Sequence, residues 1–199
     1  MKQYQDHYFK KAKQENYPAR AVYKLQEMNN KFKLLKPGMA VLDLGAAPGS
    51  WSLYASQKLG DKGRLLAVDL QEIQQGFGPL ATVLACDVFS DAPELTAALA
   101  EIGPFDLVMS DMAPATIGIK FADQARSAAL CERARDLALA NLKFHGNFVA
   151  KIFEGPDSKP FKESLRPHFD TVRGFKPKSS RSESKETFIL GLGFRPARG

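Results

Sequence analysis

Cysteine is nearly absent from this sequence. Cys86 and Cys131 are the only two in 199 residues, too few for a disulfide framework. Neither stands in a CxxC pair or beside a histidine that would suggest zinc. Both read as small buried thiols, a usage that suits a reducing compartment such as the cytoplasm. Long apolar runs are missing too: none approaches the ~20 residues of a membrane span. The first seven residues lack the apolar core of a secretory signal, so no membrane association is expected. His7, His145 and His168 do not share metal-ligand spacing, and no metal site is expected. Internal repeats and low-complexity linkers are also lacking.

What is present is ordinary globular material, 44% hydrophobic and 25% charged, over a length typical of one domain. The reading is a single, monomeric domain over residues 1–199, with a basic helical arm at 1–36 and an α/β core at 37–199. Charge is distributed unevenly. Residues 1–36 carry nine Lys and Arg against three acids, and residues 159–199 carry ten against four. The stretch between them is net acidic. A solvated surface is the plain reading of either basic end alone. Together they point to a polyanionic partner, because neutralising phosphates releases counterions.

Beyond residue 36 the apolar segments alternate in kind. Short β-rich runs stand at Ala40–Leu44, Arg64–Asp69, Thr82–Ala85, Phe105–Ser110 and Asn147–Ile152. Helical spacing marks Ser50–Leu59, Pro93–Glu101 and Asp123–Lys143. Such alternation predicts βαβ units and a mostly parallel sheet with helices on both faces. Two further runs, Thr171–Phe175 and Thr187–Phe194, are joined by a polar loop and predict an antiparallel pair at the sheet edge. Ahead of the sheet, apolar Ala21, Val22, Leu25 and Met28 predict a helix within Pro18–Lys33.

The first strand runs into Asp43-Leu44-Gly45-Ala46-Ala47-Pro48-Gly49-Ser50-Trp51, a tight turn of small residues before a helix. Gly45, Ala46, Ala47 and Gly49 would let a ligand approach the backbone, and Pro48 is tolerated near a helix start. In an open α/β sheet, ligands bind at the carboxyl end of such a strand. The spacing is not GxGxxG, which argues against a nicotinamide site, and GxxxxGK[ST] is absent, which excludes a P-loop. Asp69 ends the second strand, at the spacing where an acid meets ribose hydroxyls. Asp87 follows the third, placed to accept from an adenine amino group. Asp is also a common turn residue, but three acids at successive strand ends suggest a nucleotide-type pocket.

Asp-Leu-Gly-Ala-Ala-Pro-Gly followed by Trp, with Ser110-Asp111-Met112-Ala113-Pro114 downstream, resembles the FtsJ/RrmJ (RlmE-like) family of ribosomal RNA 2′-O-ribose methyltransferases. The likeness runs from Asp6-His7-Tyr8 to about Gly191. It departs at Ser50, where many relatives carry glycine, and in a short segment between Asp69 and Cys86. The resemblance implies a Rossmann-like class I methyltransferase fold, a mostly parallel seven-stranded sheet with an antiparallel C-terminal strand. It implies S-adenosyl-L-methionine as cofactor, with Asp43 at its methionine end, Asp69 at the ribose and Asp87 at the adenine. Leu70, Val88 and Asp111 would border it. Trp51 would either join them or pack against the sheet. The implied substrate is a uridine of 23S rRNA, in the assembled large ribosomal subunit, bound through the basic ends.

Moving a methyl group onto a ribose hydroxyl needs a group that takes the hydroxyl proton. Lys151 and Asp111 stand at strand ends. A lysine in an apolar run is often a snorkelling edge residue, whereas one at the end of a central strand lies over the crevice. The family's Lys–Asp–Lys–Glu tetrad maps onto Lys24, Asp111, Lys151 and Glu186. Lys24 and Glu186 come from the resemblance alone. On this reading Lys151 is the base and Asp111 orients it, while Lys24 and Glu186 position the ribose. Tyr4, Tyr8 and Tyr17 alternate with Lys10, Lys11 and Lys13, which suits either RNA stacking or a helix docked on the core. A small-molecule methyltransferase, or an RNA-binding module without catalysis, remain the other readings.

Overall fold

The computed structural model describes residues 2–90, 92–181 and 184–196, with side chains from residue 7 onward. Its strands are β1 (Ala40–Leu44), β2 (Arg64–Asp69), β3 (Ala81–Ala85), β4 (Phe105–Ser110), β5 (Leu142–Phe153), β6 (Phe169–Phe175) and β7 (Glu186–Phe194). Helices are α1 (Lys2–Gln14), α2 (Val22–Phe32), α3 (Ser50–Leu59), α4 (Pro93–Ile102), α5 (Lys120–Asn141) and α6 (Ser158–Leu165). All seven strands form one sheet in the order β3-β2-β1-β4-β5-β7-β6. The pairs among β1 to β5 are parallel, and β7 runs antiparallel to both neighbours. The strand last in sequence is therefore internal, and β6 forms the edge.

Strand side chains alternate between faces, and the core divides accordingly. Leu42, Leu44, Phe148, Ala150 and Ile152 pack with α4, α5 and α6. Val41, Leu107, Met109, Val149, Phe188 and Leu190 pack with α1, α2 and α3. This alternation positions the chemistry. Asp43 shares the parity of Val41, Asp111 that of Met109, Lys151 that of Val149 and Glu186 that of Phe188. All four therefore belong to the face that α2 and α3 cover.

Most strand limits agree with the expected ones; β5 does not. It begins at Leu142, where helical spacing had been read through Lys143. Its register against β4 slips between the pairs Phe105–Leu142 and Leu107–Asn147. The extra residues form a bulge in which His145 takes φ 62°, so the stretch ahead of Asn147 lies inside a strand. The short connection from β2 to β3 contains no helix. Its Phe77 is buried under the turn after β1.

The N-terminal arm is docked. Tyr8 packs tilted against Tyr23 with ring centroids 5.2 Å apart, and the Tyr17 hydroxyl donates to Gln57 at 2.9 Å. Ser50, the departure from the family's glycine, is buried and accepts the Ala19 N–H at 2.7 Å. The serine thus ties the arm to α3. Among the described residues, no helix is long and apolar enough to cross a membrane.

Candidate active site

The turn after β1 rests on backbone bonds to β2: the N–H groups of Gly45 and Ala46 both donate to the Val68 carbonyl. Gly45 (φ 76°) and Gly49 (φ 105°) occupy the left-handed region, which only glycine enters without strain. The space their missing side chains leave is filled by the protein. A Cβ on Gly45 would lie 2.5 Å from Met112, and one on Gly49 2.9 Å from Phe77. These glycines let the turn close on Met112 and Phe77.

A crevice of about 420 Å³ opens at the carboxyl ends of β1, β2 and β4. Gly45, Ala47, Asp69, Leu70, Asp87, Val88 and Asp111 wall it. Cys86, Met112 and Ala113 also line it, as do Gln71, Phe89 and Leu130, which the sequence did not single out. Asp69 accepts the Ala47 N–H at 2.9 Å and the Gln71 N–H at 2.8 Å. Asp87 accepts from the Phe89 N–H at 2.9 Å. Each carboxylate oxygen that takes one backbone hydrogen keeps a second lone pair for a ligand hydroxyl or amine.

Asp43, Ala46, Pro48, Gly49 and Trp51 do not line this crevice. Trp51 is turned away from it. Its indole N–H donates to the Ala21 carbonyl at 2.9 Å and its ring lies 5.8 Å from Phe188, joining α3 to α2 and β7. Asp43 is fully buried beneath the turn. One oxygen accepts from the Ser52 hydroxyl at 2.6 Å, and Oδ1 has no partner. Burial above all, then the Asp111 and Asp69 charges, raise its carboxyl to about 7 against the Ser52 hydrogen bond.

Beside the crevice lies a cluster of two lysines and two acids. Lys151, only 5% exposed, donates to the Asp111 backbone carbonyl at 2.7 Å. Its Nζ also sits 3.0 Å from Asp111 Oδ1, outside hydrogen-bonding direction. Glu186 reaches both cations: Oε2 lies 2.7 Å from Lys24 Nζ and Oε1 3.8 Å from Lys151 Nζ. Burial alone would raise the Glu186 carboxyl, but the Lys24 and Lys151 charges hold it below the usual carboxylate range. Lys24 comes from α2, Asp111 follows β4, Lys151 lies on β5, and Glu186 opens β7.

The two basic ends of the sequence meet here. Glu27 of α2 accepts the N–H groups of Lys178 and Ser179 at 2.7 and 2.8 Å, and Arg20 donates to the Ser179 carbonyl at 2.6 Å. Between them opens a second cavity of about 460 Å³, lined by Arg20, Ala21, Lys24, Arg181, Ser184 and Glu186. Sequence reading counted Arg20 and Arg181 only as charge. The four-residue spacing from Arg20 to Lys24 was the available signal for the first; Arg181 carries none. Tyr8 and Tyr17 belong to the docking contacts described above, and the Tyr4 side chain lies outside the described residues. Among those residues no cluster of His, Cys, Asp and Glu could hold a metal ion.

A seven-stranded sheet of this order, with β7 antiparallel and a nucleotide-sized crevice over β1, defines the Rossmann-like class I methyltransferase fold. The chain belongs to the FtsJ-like methyltransferase family, whose model matches residues 17–194. It is 57% identical to a ribosomal RNA large subunit methyltransferase E of Oleidesulfovibrio alaskensis over 195 residues, 98% of this chain and 94% of the relative. A protein of the same name from Nitratidesulfovibrio vulgaris is also 57% identical, covering 98% and 97%. Among solved structures, a protein of Plasmodium falciparum assigned as a ribosomal RNA methyltransferase superposes with TM-score 0.78 at 25% identity. That match covers 89% of this chain and 98% of the other.

Proposed function

We propose that this enzyme transfers the methyl group of S-adenosyl-L-methionine to a ribose 2′-hydroxyl of ribosomal RNA, on a uridine of 23S rRNA in the large subunit. The observation that carries the reading is the Lys24–Glu186–Lys151–Asp111 cluster, set between a nucleotide-sized crevice and a basic cavity. The two named relatives above support the ribosomal RNA part.

The crevice residues fit the cofactor. Asp69 and Asp87 offer acceptors for ribose hydroxyls and an adenine amine, and Leu70 and Val88 offer apolar faces. Asp43 has a buried unpaired oxygen under the turn, and its charge favours an ammonium at the methionine end. When bound, S-adenosyl-L-methionine supplies an electrophilic methyl group. Lys151 Nζ, as the neutral amine, would take the proton of the 2′-hydroxyl as the ribose oxygen bonds to the methyl carbon and the carbon–sulfur bond breaks, the sulfur leaving as a neutral thioether. Asp111 holds that nitrogen through its carbonyl and carboxylate. Glu186 and Lys24 position the ribose and fix the charge around Lys151.

Arg20, Lys24 and Arg181 around one cavity favour a phosphate-bearing acceptor over a small neutral metabolite. Every proposed group comes from one chain, so a monomer suffices for the chemistry, and the proposed location is the cytoplasm with the ribosomes it modifies. Labelled S-adenosyl-L-methionine should be offered with undermethylated large subunits, protein-free rRNA and a metabolite pool. Label in 2′-O-methyluridine of large-subunit RNA is expected. Label confined to metabolites would make this a small-molecule enzyme, and RNA binding without transfer would make it a binding module.

A further inference from the structure

Three large apolar side chains stand in solvent next to the reactive cluster. Ile117 is 52% exposed, Ile119 61% and Phe121 71%, all on the segment from β4 into α5. That segment is anchored from within. Asp123, which is buried, accepts the Ile117 N–H at 2.9 Å and donates its own N–H to the Ile119 carbonyl at 2.9 Å. The backbone is therefore satisfied inward while apolar side chains remain outside, a costly arrangement unless something covers them.

The same segment walls a third cavity, of about 270 Å³. Thr116 and Lys120 form one side, and Ser184, Lys185 and Glu186 the other. Ser184 and Glu186 also line the basic cavity of Arg20 and Arg181. Glu186 thus stands between two openings, one basic and one walled by Thr116 and Lys120 of the segment that carries the exposed apolar side chains. A strand delivering a ribose to Lys151 continues on both sides of that ribose, so it must occupy both.

We propose that the Ile117–Phe121 segment holds a nucleobase of the acceptor strand next to the methylated ribose, with Lys120 and Lys185 on the adjoining phosphate. This rests on the RNA reading above. Apolar side chains flanked by two cations match the two halves of a nucleotide, a π-face and a phosphate. Holding the neighbouring base out of its stack also fixes the ribose orientation that in-line transfer requires.

The test is the double substitution Ile119→Ala/Phe121→Ala, read as Kd for protein-free rRNA and KM for large subunits. Both side chains are exposed, and an unchanged Tm verifies the fold. Each constant should rise about tenfold, from the lost apolar contact with the base, with cofactor affinity unchanged. The dependence of Kd on salt should keep its slope, because no phosphate contact is lost. Lys120→Ala/Lys185→Ala should flatten that slope instead. Unchanged Kd and KM would overturn the proposal. A rise in KM with no change in Kd for protein-free rRNA would also overturn it, assigning the patch to a ribosomal protein. Should the unsubstituted enzyme methylate no RNA at all, the RNA reading itself falls, and this inference with it.

Discussion

Lys24 and Glu186 stand 162 positions apart in sequence and 2.7 Å apart in the fold. One belongs to the helix that precedes the sheet and the other to the strand last in sequence. Their ion pair ties the two basic ends to the reactive cluster. Because both side chains are largely buried, removing either leaves the other charge poorly solvated. A double-mutant cycle with Lys24→Ala and Glu186→Ala should give a coupling of about 1–2 kcal/mol by chemical unfolding. Both single variants should lose less turnover than Lys151→Ala and show it mainly in KM for RNA. Additive effects would mean the contact contributes nothing.

Asp43 and Glu186 titrate in opposite senses. Asp43 is raised to about 7 in the fold, so between the unfolded carboxyl value and 7 the folded state holds more protons than the unfolded one. Stability of the cofactor-free protein should fall as pH rises through that window, by about 4 kcal/mol if Asp43 acts alone. Asp43→Asn should flatten the profile there. Glu186 is held below the usual carboxylate range. Its contribution is present above that range and disappears as pH falls through its lowered value. Unfolding free energies across pH 3–8 for the wild type and Asp43→Asn check both signs.

Gly45 combines φ 76° with a Cβ position 2.5 Å from Met112. Gly45→Ala should cost about 3 kcal/mol from backbone strain and overpacking. Cofactor binding should weaken as well, since Gly45 and Met112 both wall the crevice. Thermal melts and calorimetric titration read the two effects. An unchanged Tm would mean the turn can relax.

Charge reversal at Lys10, Lys11 and Lys13 should weaken RNA binding and flatten its salt dependence. The residues should not contribute equally. Lys11 already sits 3.8 Å from Glu15 and over the Tyr23 ring, whereas Lys13 is exposed. Lys13→Glu should therefore change the slope more than Lys11→Glu. A slope that none of the three alters would remove the arm from RNA binding.

Much of this arrangement was legible before the fold. Strand periodicity and the turn after β1 located the sheet and the crevice, and Asp111 and Lys151 are visible as polar residues ending apolar strands. Parity within those strands even places them on one face. Lys24 and Glu186 have no such local mark, because their partnership exists only once α2 and β7 meet. Of the two readings of Trp51, the structure shows the packed one. Its place beside the turn suggested a ligand contact, but the helix period carries the indole onto Ala21 and Phe188. Gly45 and Gly49 were recognised for the freedom the turn needs, but Met112 and Phe77, which fill the space beside them, approach from segments distant in sequence and left no local mark. The bulge in β5 was hidden because helical spacing continues through Lys143 and the β-rich run starts only at Asn147.

The most direct test of the account is methyl transfer by Lys151→Ala at saturating cofactor and large subunit, with cofactor affinity measured on the same preparation. Loss of the proton acceptor should lower transfer by at least about 100-fold and leave cofactor affinity within a few-fold, because Lys151 does not line the crevice. Near-normal turnover in a folded Lys151→Ala enzyme would contradict the assignment of Lys151 as the base.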